Sequence, residues 1–190
     1  MKQQMRASAY HLNPSELKKL LLATTSFRDR CLVKALFWLG LRRKELCGLD
    51  IRDLDFERKR VKVRGKGDNV RIVPIVDDEF LSDLKHLIGP RNEGAVFLSN
   101  QGKAVSIRLV NHIIQKVGAA AGVENPHPGR KHLNPHIFRH SIARYLKSKG
   151  FSAEWIQNFL GHQSYQTTMD MYGTISIDEM QEIARRKLGE

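Results

Sequence analysis

Apolar residues recur at helical spacing through most of the chain. One stripe of Leu17, Leu20 and Leu21 follows Asn13, a good capping residue, and Pro14, which suits the first helical position. Similar spacing predicts further helices over residues 27–39, 43–47, 78–87, 106–119, 135–149, 153–160 and 177–188.

One segment departs from helical spacing. Residues 58–75 alternate between polar and apolar positions around a Gly-Lys-Gly-Asp-Asn turn, which is the pattern of a β-hairpin. We therefore predict a mainly α fold of the α+β class, in which a helical domain carries one small antiparallel sheet. The chain is predicted to be a single domain, with a core over about residues 10–175 and a C-terminal helix over about residues 176–190.

Charge narrows the class of partner. Lys and Arg total 32 against 20 Asp and Glu, and the net charge of +12 favours a polyanion. Nucleic acid fits better than a membrane surface, because no predicted helix pairs a strong apolar face with a lysine-rich one. No apolar run approaches the roughly 20 residues that span a bilayer, and the N-terminus lacks the apolar stretch of a signal peptide. We therefore expect a cytoplasmic protein without a membrane partner.

The hairpin carries a row of cations. Side chains alternate between the faces of a strand, so Arg60, Lys62 and Arg64 share one face with Lys66 at the tip, and the valines between them face the other way. A solvent-exposed edge strand, on which cations prevent pairing with another chain, has a similar pattern. Mutual repulsion of four like charges nevertheless favours phosphate binding. The predicted DNA contacts are Arg60, Lys62, Arg64 and Arg71.

A second cluster lies in residues 134–140, where Asn and Pro begin a helix. His136, Arg139 and His140 fall on one face of its first two turns, where the helix dipole attracts phosphate. Two His four residues apart also occur in zinc proteases, but those need Glu directly after the first His, and this chain has Ile137 there. No Cys-x-x-Cys pair is present, so we expect neither a metal nor another cofactor. Taken alone, His140 fits a core histidine better.

The ordered set of motifs resembles the tyrosine recombinases, which include phage integrases and Xer-type recombinases. The motifs are Gly-Leu-Arg-x-x-Glu-Leu at 40–46, Gly-Lys-Gly at 65–67, His-x-x-Arg-His at 136–140, Leu-Gly-His at 160–162 and a late tyrosine at 172. Together they cover roughly residues 10–185, and the ordered set is far more specific than any single motif. The resemblance implies the catalytic residues Arg42, Lys66, His136, Arg139, His162 and Tyr172, with Glu45 and His140 in support.

These residues suit cleavage of DNA by transesterification without a metal. Tyr172 would form the phosphotyrosine bond, arginine forks match phosphate oxygens, and Lys66 is the candidate acid for the leaving oxygen. The other tyrosines are placed less well: Tyr145 is half a turn out of phase with the motif histidine on its helix, Tyr165 lies in an apparent turn, and Tyr10 is near the chain end.

Two features depart from the family pattern. His162 and Tyr172 are ten residues apart, where the Xer-type pattern has nine. The catalytic pattern also begins near residue 10, so we expect the N-terminal helical domain that clamps DNA in relatives to be absent. A type IB topoisomerase would share the chemistry. A non-catalytic DNA-binding relative is disfavoured because all six catalytic groups are present.

The last segment also allows two interpretations. Ile177, Met180, Ile183, Ala184 and Leu188 form one apolar stripe at helical spacing. By itself this stripe indicates a helix that packs on its own domain. The family resemblance instead implies docking onto a neighbouring subunit, which would link four protomers on double-stranded DNA at specific sites.

Overall fold

The computed structural model of the chain describes residues 10–65 and 69–161. In this part of the chain the predicted helices and hairpin are present, which confirms the fold class. The elements are α1 (Pro14–Leu22), α2 (Phe27–Trp38), α3 (Arg43–Cys47), β1 (Leu54–Asp55), β2 (Arg60–Arg64), β3 (Val70–Pro74), α4 (Asp78–Ile88), α5 (Ile107–Ala121), α6 (Pro135–Ser148) and α7 (Ala153–Leu160). Among the described residues, no helix has both the length and the apolar character to cross a bilayer.

Short polar side chains set the starts of the helices. At α1, Asn13 Oδ1 accepts from the Glu16 N–H at 2.9 Å, and Glu16 Oε2 accepts from the Asn13 N–H at 2.8 Å. Such a cap stabilises a helix by about 1 kcal/mol. The caps of α2, α4, α5, α6 and α7 are Ser26, Asp77, Ser106, Asn134 and Ser152.

The three strands form one antiparallel sheet in the order β1-β2-β3. Val61 lies opposite Val73, and Val63 lies opposite Arg71, so these four side chains share the inner face. The three valines are buried there. β1 lies outside the predicted hairpin and was not predicted from the sequence, because a strand of two residues is too short to show an alternating pattern.

Helix α2 runs through the core between α4 and α6. Its residues 31–37 are all buried, including Lys34, whose side chain is 4% exposed. The Lys34 ammonium pairs with Glu79 at 2.7 Å and with Asp83 at 2.5 Å, both on α4, which offsets the cost of burying its charge. Because α2 is held on both sides, the segment that follows it has a fixed position.

Candidate active site

The segment after α2 approaches the end of α7 closely. Gly40 adopts a left-handed conformation with φ +56°, and a Cβ at this position would lie 2.6 Å from Leu160 Cδ2. Both constraints strongly favour glycine. The chain then turns outward, so the side chain of Arg42, at the start of α3, is 44% exposed.

Glu45 holds Arg42 in place. Its two carboxylate oxygens accept from the Arg42 backbone N–H and from Arg42 Nη1, each at 2.8 Å. Among the described residues, Nε and Nη2 of Arg42 have no hydrogen-bond partner. Arg42 can therefore offer these two nitrogens to a ligand.

A second arginine binds the same carboxylate from the sheet. Arg71 Nη1 and Nη2 donate to the two oxygens of Glu45, each at 2.9 Å. Burial alone would raise the pKa of the Glu45 carboxyl, but the hydrogen bonds and charge of Arg71, together with Arg42, lower it to about 2. Glu45 is therefore ionised at neutral pH.

Arg139 links the segment after α2 to the end of α7. It is only 1% exposed, and its Nη1 and Nη2 donate to the carbonyl oxygens of Gly40 at 2.6 Å and of Leu160 at 2.5 Å. Burial, then Arg42 and Arg71, lower its pKa to about 9, so it stays charged at neutral pH. We call Arg42, Glu45, Arg71 and Arg139 the inner cluster.

The two histidines of α6 lie beside this cluster. Their rings meet edge to face with centroids 4.6 Å apart, and the His136 side chain reaches the surface. Desolvation, then Arg139 and Arg130, lower the pKa of His136. Desolvation also lowers the pKa of His140 to about 4, with His136 adding to the effect. Within residues 10–65 and 69–161, the buried Nδ1 of His140 has no hydrogen-bond partner.

Strand β2 has the alternation predicted for it. Val61 and Val63 are buried, whereas Lys62 and Arg64 are exposed and Arg60 is partly exposed. Asp55 pairs with Arg60 at 2.9 Å, and Asp53 pairs with Arg64 at 2.8 Å. We call Arg60, Lys62 and Arg64 the outer row.

Arg71 differs from the other three cations predicted to contact DNA. Its side chain is 11% exposed, and its guanidinium nitrogens donate to Glu45 and to the Phe159 carbonyl. The sequence patterns did not predict this link between the sheet, α3 and α7. The sequence does contain one sign of the inward position of Arg71. It lies two residues from the buried Val73 and therefore on the same face of β3.

Lys66, His162 and Tyr172 lie outside the described residues, as does the predicted C-terminal helix. Gly65 and Gly161, which precede Lys66 and His162, are among the described residues. The N–H of Gly65, one residue before Lys66, donates to the Asn69 carbonyl at 2.7 Å. Gly161, one residue before His162, ends α7 in a left-handed conformation with φ +65°.

Residues 11–176 match the Phage integrase family. The tyrosine recombinase XerC of Corynebacterium glutamicum is 34% identical over 146 residues, which cover 74% of this chain and 45% of that protein. The crystal structure of XerA recombinase matches with a TM-score of 0.76 and 28% identity, over 93% of this chain and 64% of that one. XerH site-specific recombinase, in its pre-cleavage complex with the difH substrate, matches with a TM-score of 0.73 and 27% identity, over 92% and 53% of the two chains.

This chain therefore belongs to the phage integrase family of tyrosine recombinases, which confirms the resemblance seen in the motifs. The chain spans about half the length of the curated relatives it matches.

Proposed function

We propose that this chain is the catalytic domain of a site-specific DNA recombinase, which cleaves and rejoins strands through a 3′-phosphotyrosine at Tyr172 without a metal. The observation that supports this most is that Arg42, Arg139 and His136 converge on one electropositive site. Besides burial, the positive charges of neighbouring arginines, including Arg42, lower the pKa values of His136 and Arg139, and this part of the shift indicates that negative charge is favoured there. A phosphodiester carries that charge.

Each described group has a role in this proposal. Arg42, which is partly exposed, offers two guanidinium nitrogens to the non-bridging phosphate oxygens, and Arg139 brings a buried cation to the same site. One well-placed donor of this kind stabilises a transition state by roughly 3 kcal/mol. His136 can donate a further hydrogen bond to the phosphate or accept the tyrosine proton, and His162 is proposed to share this task.

Covalent chemistry at Tyr172 is tested by trapping the intermediate on a nicked suicide substrate. We expect Tyr172→Phe to bind this DNA but to form no adduct, while Tyr165→Phe, the matched control, forms an adduct at the normal rate. Activity should persist in EDTA. An adduct that survives in Tyr172→Phe, or a strict need for a divalent ion, would contradict the proposal.

Lys66 is proposed as the acid that protonates the leaving 5′ oxygen. Lys66→Ala should slow cleavage by about a hundred- to ten-thousand-fold. A substrate with sulfur in the 5′-bridging position should restore much of the rate, since a thiolate leaves without a proton. If sulfur does not restore the rate, Lys66 binds phosphate and is not the acid.

The proposed partner is double-stranded DNA at specific sites in the cytoplasm, bound by four protomers that dock through residues 176–190. By itself the apolar stripe of this segment fits packing on its own domain, whereas membership of the recombinase family supports docking on a neighbouring subunit. Truncation after Ser176 should abolish pairing of two DNA sites but leave some cleavage of a single site. Full assembly of the truncated chain into tetramers on paired sites would remove this role.

A further inference from the structure

Arg71 is bonded to three separate parts of the chain at once. It lies on β3, its Nη1 and Nη2 bind Glu45 of α3, and its Nε donates to the Phe159 carbonyl of α7 at 3.1 Å. All three guanidinium nitrogens therefore donate to protein oxygen atoms. With 11% of its side chain exposed, Arg71 is enclosed by the domain and does not line its outer surface.

The segments that lead to the undescribed catalytic residues pass beside this contact. A Cβ at Gly65, which precedes Lys66, would lie 3.9 Å from Glu45 Oε1. A Cβ at Gly161, which precedes His162, would lie 2.7 Å from Arg71 Cδ. Gly161 is therefore packed against Arg71, where a side chain would be strained, and Gly65 lies near Glu45.

The end of α7 is held by two guanidinium groups. Arg71 donates to the carbonyl of Phe159, and Arg139 donates to the carbonyl of Leu160. These carbonyls belong to the last turn of the helix, where partial negative charge accumulates and cations are favoured. The two contacts fix the direction in which the chain leaves α7.

We propose that Arg71 is a positioning residue for DNA cleavage, which fixes Arg42 through Glu45 and sets the exit of α7 towards His162. This inference rests on the proposed recombinase function. Arginine is required because its planar fork binds both oxygens of Glu45 while Nε reaches a third acceptor. A lysine keeps the positive charge, but its three donors are on one nitrogen and cannot span the acceptors on α3 and α7 as the guanidinium does.

The test compares Arg71→Lys with Arg28→Lys. Arg28 is a matched control: it donates to a carboxylate of Asp29 at 2.8 Å and to the Leu98 carbonyl at 3.1 Å, and it makes no contact with the inner cluster. Both variants keep their charge. We expect Arg71→Lys to slow single-turnover cleavage at saturating DNA by about 100-fold, because small errors of placement have effects of this size. The Kd for DNA should change by less than about threefold, and Arg28→Lys should cleave at the wild-type rate.

A second readout separates positioning from general loss of structure. A methylphosphonate at the scissile position removes the phosphate charge that Arg42 is proposed to stabilise. If Arg71 acts through Arg42, the rate difference between wild type and Arg71→Lys should fall at least tenfold on this substrate. The inference is overturned if the rate difference is unchanged on the methylphosphonate substrate, or if Arg71→Lys and Arg28→Lys cleave normal DNA at equal rates. In either case, cleavage by the wild type leaves the proposed function intact. A wild-type chain that forms no adduct overturns the proposed function itself.

Discussion

The inner cluster and the outer row both contain arginines, and Arg139 and Arg64 show how differently these can be held. In the inner cluster, Arg139 is 1% exposed and donates to two main-chain carbonyls. In the outer row, Arg64 is 59% exposed and pairs with one carboxylate. The first arrangement determines where a guanidinium lies, whereas the second leaves most of the side chain free to move in water.

This difference separates two tasks that positive charge can perform on DNA. A transition state needs donors at fixed positions, and burial strengthens each of their interactions. Affinity for a polyanion needs cations near the backbone, and solvated side chains are sufficient because much of the energy comes from released counterions. We therefore expect changes in the inner cluster to affect cleavage rate and stability, and changes in the outer row to affect affinity.

The largest effect is expected for Arg139→Met. This change leaves the carbonyls of Gly40 and Leu160 without their donors, and it should lower the free energy of unfolding by about 3–5 kcal/mol. Adduct formation should fall by at least about 1000-fold. Urea unfolding and a suicide-substrate assay measure the two effects.

Arg139→Lys provides the control for charge alone. It should regain part of the stability but not the cleavage rate, since lysine cannot donate to both carbonyls in the geometry of a fork. If Arg139→Met unfolds within about 1 kcal/mol of wild type, the buried arrangement does not stabilise the domain.

The hydrophobic pattern accounts for the elements, but not for the contacts of the inner cluster. Alternation over residues 58–75 was enough to assign the faces of β2, because the period of a strand is local information. The partners of Arg139 are 99 and 21 positions away in sequence, and both are main-chain carbonyls without a side-chain signature. The face of β3 on which Arg71 lies follows from its offset to Val73, but its partners Phe159 and Glu45 are 88 and 26 positions away in sequence. The motif assignments came from family resemblance, and those at Lys66, His162 and Tyr172 stay predictions.

A smaller effect is expected from pH, through His140, which is partly buried beside the inner cluster. The pKa of His140 is lowered from 6.5 to about 4 by desolvation, then by His136, Arg139, Arg130 and His11. Between these pH values the unfolded chain binds a proton that the folded chain does not. The neutral His140 therefore lowers the free energy of unfolding by nothing above pH 6.5. As the pH falls towards 4, the free energy of unfolding decreases by on the order of 3 kcal/mol.

Replacement of His140 with Gln should reduce the slope of this part of the profile. His136, whose pKa is also lowered, accounts for part of the slope that stays. The measurement is the free energy of unfolding in urea at several pH values between 4.5 and 7. Glu45 does not interfere strongly, because its lowered pKa of about 2 places its own loss of stability at lower pH. An equal slope in wild type and His140→Gln would show that other groups cause the pH dependence.

The smallest effect is expected in the outer row, for Lys62→Ala. Lys62 is exposed on β2 opposite Ile72, whereas Lys59, at the far end of the hairpin, pairs with Asp78 at 2.7 Å. No acid among the described residues pairs with Lys62, and a lysine without such a partner releases more counterion when it meets a phosphate. Lys62→Ala should therefore reduce the slope of log K against log salt by about one unit, and Lys59→Ala, the matched control, should reduce it less. Binding titrations between low and moderate salt measure both slopes. Equal slopes for the two variants would mean that the outer row does not face DNA. If Lys62→Ala instead lost as much cleavage at saturating DNA as Arg139→Met does, the inner cluster and the outer row would not have separate tasks.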